Sequence, residues 1–219
     1  MTNNVTPRSM AMARKGRAIA FLSAAVLLLL AALSVPFNMP FKQGVGLIFL
    51  LLAGARALQV VGNNYLIEAQ RADSGADGED YVNGILQRLP EMWEIQRNYP
   101  ADYLGDIDFL VTSPAGKVFI VEVKSHKGVV CNDHDGLFRR VGYQMRKFEK
   151  NPLQQAENQA CWVRDNLDKE SVTPIICFTR AEAIQTTTRC LEGVYLAKPN
   201  ELLMLLDRLT RVKPAYVGQ

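Results

Sequence analysis

The N-terminal 62 residues constrain the fold most, because they contain a long run that carries no charge. Ala18–Val35 consists mainly of Leu, Ala and Val, and a helix of about 20 apolar residues can cross a membrane. A second apolar run covers residues 44–61, where Arg56 is the interruption; an Arg near a helix end can reach the headgroups. The sequence therefore predicts a transmembrane helical hairpin over 18–62, with spans of about 18–35 and 44–61.

The distribution of basic residues predicts the orientation of this hairpin. Arg8, Arg14, Lys15 and Arg17 precede the first span, whereas only Lys42 lies between the spans. Basic flanking residues concentrate on the cytoplasmic side of a membrane. We therefore expect residues 1–17 to form a basic cytoplasmic N-terminus of a multi-pass protein of the inner (plasma) membrane. Two spans would return the rest of the chain to the cytoplasm.

Two alternatives to the hairpin stay open on sequence grounds. A basic start, an apolar run and small residues at Ala32 and Ser34 also fit a cleaved signal peptide. Alternatively, the first run spans the membrane alone, and Gly44–Val61 forms an interfacial or core helix. That arrangement would put the remaining residues outside the cytoplasm.

The net charge and the cysteine spacing of residues 63–219 indicate what kind of domain they form. The first 62 residues hold six basic and no acidic side chains, which leaves residues 63–219 with 19 basic and 22 acidic ones, a net charge of −3. A strongly basic domain, the usual mark of nucleic-acid binding, is therefore absent. No two of the four cysteines have CxxC spacing, which predicts free thiols in a reducing compartment.

Residues 74–212 read as a globular α/β domain behind a linker at 63–73. A capping box of Ser74 and Asp77 predicts a helix from Ser74 to Leu89, and Asn151 before a proline predicts the start of another. Ser125–Gly136 reads as irregular. Further patterns predict strands at Pro174–Phe178 and Gly193–Leu196, and a final helix from a cap at Asn200 to Leu209. Such alternation indicates an α/β sandwich.

A β-hairpin with acidic strand ends is the most informative local pattern. Residues 105–111 and 117–124 read as strands, and Pro114–Gly116 suits a three-residue loop. This loop length places Asp108 opposite Glu122 and Asp106 opposite Lys124, on one side of the sheet. Two facing carboxylates repel each other unless a cation joins them.

This constellation suits a hard divalent cation. Mg²⁺ (or Mn²⁺) commonly takes one or two carboxylates plus water and phosphate, so Asp108 and Glu122 are the predicted ligands. The ion would polarise a phosphodiester and acidify a bound water. Lys124 shares the face of Glu122 and could orient that water. Glu79, at the edge of an apolar helical stripe, could reach the ion directly or through water.

These residues also carry a family resemblance. Asp108 followed by Glu122-Val123-Lys124 resembles the PD-(D/E)xK nuclease signature. A longer stretch, from about Gly75 to Phe178, is similar to the nuclease-related domain family, NERD, a branch of that superfamily. The segments that carry this similarity are Gly75–Glu79, Asp106–Val111, Val121–Ser125 and Asn151–Gln155.

The resemblance implies a restriction-endonuclease-like mixed sheet flanked by helices. It implies Glu79, Asp108, Glu122 and Lys124 as the catalytic set, with Gln155 as an added polar residue. It further implies a Mg²⁺-dependent nuclease without a small-molecule cofactor, acting on DNA, or else RNA, in processing or defence. Ile107 stands where the superfamily signature has proline. A non-catalytic module that binds nucleic acid or protein is the alternative.

Two further clusters contain residues that could bind a ligand. The basic and aromatic stretch from Arg139 to Phe148 either grips nucleic acid or forms a solvated face with Tyr143 and Phe148 packed inward. His126 and His134 lie near Cys131 and Asp133, but in no spacing typical of a transition-metal site. The predicted nucleic-acid-binding cations are Arg139, Arg140, Arg146 and Lys147.

Overall fold

The structure is a computed structural model that describes residues 7–34, 40–134 and 136–211. The chain divides into two compact units, residues 1–76 and 77–219. Within the described residues the helices are α1 (Pro7–Leu33), α2 (Phe41–Leu86), α3 (Pro152–Asn166) and α4 (Pro199–Arg211). The strands are β1 (Glu94–Pro100), β2 (Asp106–Thr112), β3 (Val118–Lys124), β4 (Gly128–Asp133), β5 (Gly136–Val141), β6 (Gln144–Lys147), β7 (Val172–Phe178), β8 (Ala181–Gln185), β9 (Cys190–Leu191) and β10 (Val194–Ala197).

The first unit contains α1 and the first part of α2. The ring of Phe21 on α1 stacks on Tyr65 on α2 at 5.7 Å between centroids, and Lys15 forms an ion pair with Asp73. Both helices contain windows long and apolar enough to cross a membrane, with mean hydropathies of 2.2 and 2.0. The sequence also predicts a turn between the two spans, from Pro36 to Pro40; residues 36–39 of that turn lie outside the described part of the chain.

Helix α2 corrects the predicted helix start at Ser74. The helix is continuous from Phe41 to Leu86, so Ser74 lies in its interior, and residues 63–73, predicted as a linker, are helical. That stretch contains neither Gly nor Pro, and its residues do not interrupt a helix. The helix also ends at Leu86 rather than at Leu89, which packs against the core as a partly buried side chain.

The second unit contains two mixed sheets flanked by helices, which confirms the predicted α/β class. The larger sheet has six strands in the order β1-β2-β3-β7-β10-β9, and the smaller has four in the order β6-β5-β4-β8. Strands β3, β7 and β10 run parallel to one another, whereas β1, β2 and β9 pair antiparallel to their neighbours.

Two apolar clusters cover the two faces of the larger sheet. One cluster joins Ile120 and Ile176 to Leu153 on α3, and the other joins Phe119 and Ile175 to residues of α2 and α4. Successive strand residues point to opposite faces, so neighbours in sequence enter different clusters. The helical spacing of the apolar residues in α2 and α3 predicts one buried face on each helix. The structure confirms both faces, because these residues are buried: Val82, Ile85, Leu86, Leu153, Ala156, Ala160 and Val163.

The hairpin loop sets the predicted register. Thr112 pairs with Val118 and Phe109 with Val121, and the amide of Ser113 donates to the carbonyl oxygen of Lys117 at 2.9 Å. Gly116 has a φ of 76°, a left-handed conformation that glycine adopts without strain. The predicted loop and register are therefore confirmed as far as Phe109.

Three other predictions need correction or extension. Ser125–Gly136 is not irregular, because it contains β4, which pairs with β5 and β8. Asn200 does not cap the last helix: α4 begins at Pro199, and the amide of Lys198 donates to Glu201 Oε2 at 2.9 Å. The strands predicted at 174–178 and 193–196 are confirmed as β7 and β10. The four cysteines are free.

Candidate active site

Glu122 lies at the centre of the predicted constellation, near the carboxyl end of β3. Its side chain is buried, with 4% of the residue exposed. Oε1 accepts hydrogen bonds from Lys124 Nζ at 2.6 Å and from Gln155 Nε2 at 2.8 Å. Oε2 is also buried and has no hydrogen-bond partner among the described residues. A buried carboxylate oxygen without a partner is costly, so this atom requires a further partner such as a water molecule or a cation.

Lys124 and Gln155 complete a triangle with Glu122. Lys124 Nζ also donates to Gln155 Oε1 at 2.9 Å. Gln155 is held in the first turn of α3, where Asn151 Oδ1 accepts from the amides of Leu153 and Gln154. The helix start predicted at Asn151 is thus confirmed, and this cap fixes the direction in which Gln155 projects.

Asp108 lies where the β2–β3 ladder ends. Its Oδ2 accepts a hydrogen bond of 2.7 Å from the amide of Val123, in place of the next backbone pair after Phe109 and Val121. Burial raises the pKa of Asp108 well above its ordinary value, and the nearby charge of Glu122 raises it further. The two carboxylates therefore interact, although not as a ladder pair. Asp106 is exposed and forms no ladder pair with Lys124.

Glu79 approaches this group from α2. Its carboxylate accepts from Arg97 Nη2 at 3.2 Å, and 14% of its side chain is exposed. Burial raises the pKa of Glu79, Arg97 partly offsets that increase, and Glu122 contributes a further small increase. Arg97 also pairs with Asp80 at 2.7 Å. Sequence reasoning missed Arg97 because it missed β1, whose exposed polar residues show no strand period.

Gly78 explains how α2 can come so close to the site. A Cβ at this position would lie 1.8 Å from Ser125 Oγ and 2.9 Å from Thr179 Oγ1. Those two hydroxyls are hydrogen-bonded to each other at 2.8 Å, directly after β3 and β7. Only glycine leaves room for this approach, which keeps the neighbouring Glu79 beside the strand ends.

The donor set fits a magnesium ion that completes its coordination with water and phosphate. In the described part of the chain, no three acidic, histidine or cysteine side chains converge to hold a metal by themselves. Mg²⁺ needs only one or two carboxylates from the protein. The unpartnered Oε2 of Glu122 and the nearby carboxylate of Asp108 meet that requirement, and a cation would relieve their repulsion.

The alternative transition-metal cluster is not assembled. Cys131, Asp133, His126 and His134 belong to no metal-holding group within the described residues. The imidazole of His126 instead packs edge-on against Phe148 at 5.2 Å between ring centroids.

The basic segment forms the β5–β6 hairpin, whose cations lie on both faces. Arg139 pairs with Arg146 in the ladder, and Arg140 with Met145, so the two arginine positions of β5 point to opposite sides. Arg139 also lies over the ring of Phe148 at 5.4 Å. Phe148 packs against the core, as one interpretation predicted, but Tyr143 is fully exposed, and its predicted inward packing is wrong.

Comparison with known families gives one match within this part of the chain. Residues 74–179 match the family model of NERD, the nuclease-related domain. Residues 74–179 are similar to the NERD family. The NERD match includes Glu79, Asp108, Glu122, Lys124 and Gln155, together with the β5–β6 hairpin. No curated protein and no solved structure matched the chain.

Proposed function

We propose that this chain is a membrane-anchored, Mg²⁺-dependent nuclease that hydrolyses phosphodiester bonds, with DNA as its substrate in processing or defence. The NERD match makes a nuclease-related function the starting point. One observation carries the proposal beyond it: Glu122 is buried with one oxygen unpartnered, between Asp108 and a lysine–glutamine pair. We also propose that the NERD domain has the restriction-endonuclease-like fold.

Asp108, Glu122 and Glu79 would hold the ion, the last of them through water. A bound Mg²⁺ would supply Lewis acidity toward the phosphate and a more acidic water. The amide of Val123 orients the carboxylate of Asp108, and Gln155 orients that of Glu122. These bonds fix the ligand positions before substrate arrives, which reduces the reorganisation that the reaction requires.

Lys124 would act on the substrate rather than on the ion. Its ammonium is held by Glu122 Oε1 and Gln155 Oε1, and 17% of its side chain is exposed. From there it could donate to the attacking water or to a phosphate oxygen, offsetting the negative charge that develops there. Gln155 would act by holding this ammonium and the carboxylate of Glu122 in place.

Anchoring in a membrane rests on the two apolar helices. Only 17% of the apolar window of α1 and 6% of that of α2 are buried, whereas a core helix would be mostly buried. The basic residues in the first part of α1, ahead of its apolar run, favour a cytoplasmic N-terminus and a cytoplasmic NERD domain. Protease treatment of inverted membrane vesicles should digest the domain, while sealed right-side-out vesicles should protect it. The reverse pattern would contradict this orientation.

DNA binding would use the cations of the β5–β6 hairpin. Arg140 and Arg146 are exposed, and phosphate contacts supply most sequence-independent affinity for nucleic acid. Because the rest of the domain is not basic, this hairpin concentrates the positive charge available for such contacts.

A non-catalytic module that binds nucleic acid or protein is the second candidate. The ion pair of Lys124 with Glu122, at 2.6 Å, favours it, because an ammonium already balances one carboxylate without a metal. The net charge of −3 over residues 63–219 favours a partner other than nucleic acid.

Cleavage assays on the full-length chain in detergent micelles separate these candidates. Supercoiled and linear DNA would be incubated with Mg²⁺ or with a chelator. We expect cleavage with Mg²⁺ only, and its loss in Glu122→Gln, which keeps the side-chain shape but removes the charge. Glu157→Gln, an exposed change on α3, should cut like the native chain. DNA binding without cleavage by the native chain, under Mg²⁺ and Mn²⁺, would support the non-catalytic module.

A further inference from the structure

A pocket of about 310 Å³ opens beside Gln155 and is not used by the proposed chemistry. Its volume lies at the small end of the range for small-molecule sites. Tyr103 and Leu104 form one side, and Lys150 contributes a cation. The remaining lining is a row of amide side chains from the start of α3, namely Asn151, Gln154, Gln155, Asn158 and Gln159.

Gln159 is the unusual member of this row. It is 1% exposed, and both ends of its amide, Nε2 and Oε1, lack a partner among the described residues. Burying an amide without hydrogen bonds is unfavourable, and native proteins rarely retain such a group without a reason. Gln159 lines the pocket, so its amide has a donor and an acceptor available to a ligand that reaches it.

Tyr103 offers that ligand a flat surface. It lies in a single 3-10 turn, Asp102–Leu104, and is 86% exposed. The turn is anchored, because Trp162 Nε1 donates to Asp102 Oδ2 at 3.2 Å and Leu104 packs against the core. Asp102 has a φ of 45°, so the chain accepts an unfavourable conformation in presenting this ring.

A nucleobase combines the properties that these two residues would recognise. Each base has a π face that stacks on an aromatic ring, and each has neighbouring donor and acceptor groups on its edge. A primary amide can pair with any base, because it can turn its oxygen and nitrogen either way. Lys150 could meet a flanking phosphate.

We propose that this pocket binds an unpaired base of the nucleic-acid strand, stacked on Tyr103 and hydrogen-bonded to Gln159. The inference rests on the proposed nucleic-acid substrate and adds how the strand is held next to the catalytic group. Gln155 belongs both to the pocket and to the triangle with Glu122 and Lys124, so a base seated here places its phosphate backbone beside the ion ligands. A base within a duplex cannot enter without leaving its stack.

Fluorescence anisotropy on the full-length chain in detergent micelles tests the pocket, with a chelator present to prevent cleavage. The probes are labelled oligothymidylate and a strand of equal length built from abasic residues. Native protein should bind the strand with bases about tenfold more tightly. Gln159→Leu and Tyr103→Ala should bring that ratio close to one, with the affinity for the abasic strand unchanged. Tyr103→Phe should keep the ratio.

The matched control is Asn166→Leu, which removes an exposed amide at the far end of the same helix and should keep the native ratio. Because Tyr103 is exposed, Tyr103→Ala tests the pocket even if Gln159→Leu fails to fold. Equal binding of both strands by native protein would overturn the inference, as would a native ratio in Tyr103→Ala. Base-dependent binding without cleavage in Mg²⁺ would refute the nuclease and keep the pocket; cleavage with equal binding would do the reverse.

Discussion

Gly78→Ala is the substitution whose effect the structure fixes most closely. The new Cβ would lie 1.8 Å from Ser125 Oγ, so Ser125 must move and its hydrogen bond with Thr179 is lost. Overpacking costs about 1–3 kcal/mol, and loss of the hydrogen bond costs about 1 kcal/mol. Alanine regains about 1 kcal/mol of helix propensity. The expected net loss in free energy of unfolding is about 1–3 kcal/mol.

Gly84→Ala on the same helix is the matched control. Nothing lies within 4 Å of a Cβ at Gly84, so this change should stabilise the domain by about 1 kcal/mol. The two substitutions thus have opposite predicted signs. The assay is urea denaturation of the full-length chain in micelles, followed by the fluorescence of Trp93 and Trp162, the two tryptophans of the chain.

A double substitution tests the cause of the loss. Ser125→Ala removes the atom that the new Cβ would meet, and should restore about 1 kcal/mol or more in the Gly78→Ala background. Gly78→Ala should also reduce nuclease activity, because the clash would push α2, and Glu79 with it, away from the strand ends. If Gly78→Ala is as stable as Gly84→Ala, the close approach of α2 to β3 is refuted.

Three further predictions concern a thiol, a backbone position and an ion pair. Burial raises the pKa of Cys177 to about 12, so this thiol should react with Ellman's reagent at pH 8 only after unfolding; prompt reaction in the native state would contradict its burial. Gly128→Ala should lower the urea midpoint, because Gly128 has a φ of 103° and a Cβ would lie 2.5 Å from the carbonyl oxygen of Arg140; an unchanged midpoint would refute that packing. Arg97 lowers the pKa of Glu79 through its hydrogen bond and its charge, so Arg97→Gln should raise that pKa. The carboxylate would then be protonated at higher pH, and the acidic limb of the pH–activity profile should move to higher pH. An unmoved limb would show that Glu79 ionisation does not govern activity. In the test of Cys177 with Ellman's reagent, the partly exposed thiols should react before it: Cys131, Cys161 and Cys190.

The parts of the site that depend on local chemistry could be predicted from the sequence. The turn residues Pro114–Gly116 fix the register that brings β2 and β3 together, because loop length determines pairing. Asn151 followed by proline fixes the start of α3 and hence the position of Gln155. In each case a few neighbouring residues decide the geometry.

The parts that depend on contacts between distant segments could not be predicted. Arg97 pairs with Glu79 only because β1 lies against β2, and β1 has no hydrophobic period. The role of Gly78 follows from hydroxyls about 50 and 100 residues away along the chain. Asp108 departs from the expected ladder pair, because its carboxylate competes successfully for the amide of Val123. The alternation of apolar residues along a strand gives no sign of a side chain that replaces a backbone hydrogen bond.

The capping box at Ser74 failed for a related reason. Its pattern is present, but the residues before it form helix as well, so the chain has no orphan amides to satisfy there. A cap motif predicts a helix start only where the preceding segment is not itself helical.

Binding of Mn²⁺ to the full-length chain, followed by electron paramagnetic resonance, tests the shared carboxylate site most directly. The native protein should bind the ion, and Asp108→Asn should weaken that binding by about tenfold or more. Asp106→Asn, an exposed change two residues away on β2, should bind it as the native protein does. Equal Mn²⁺ affinity in all three proteins, or none in any of them, would contradict a cation held by Asp108 and Glu122.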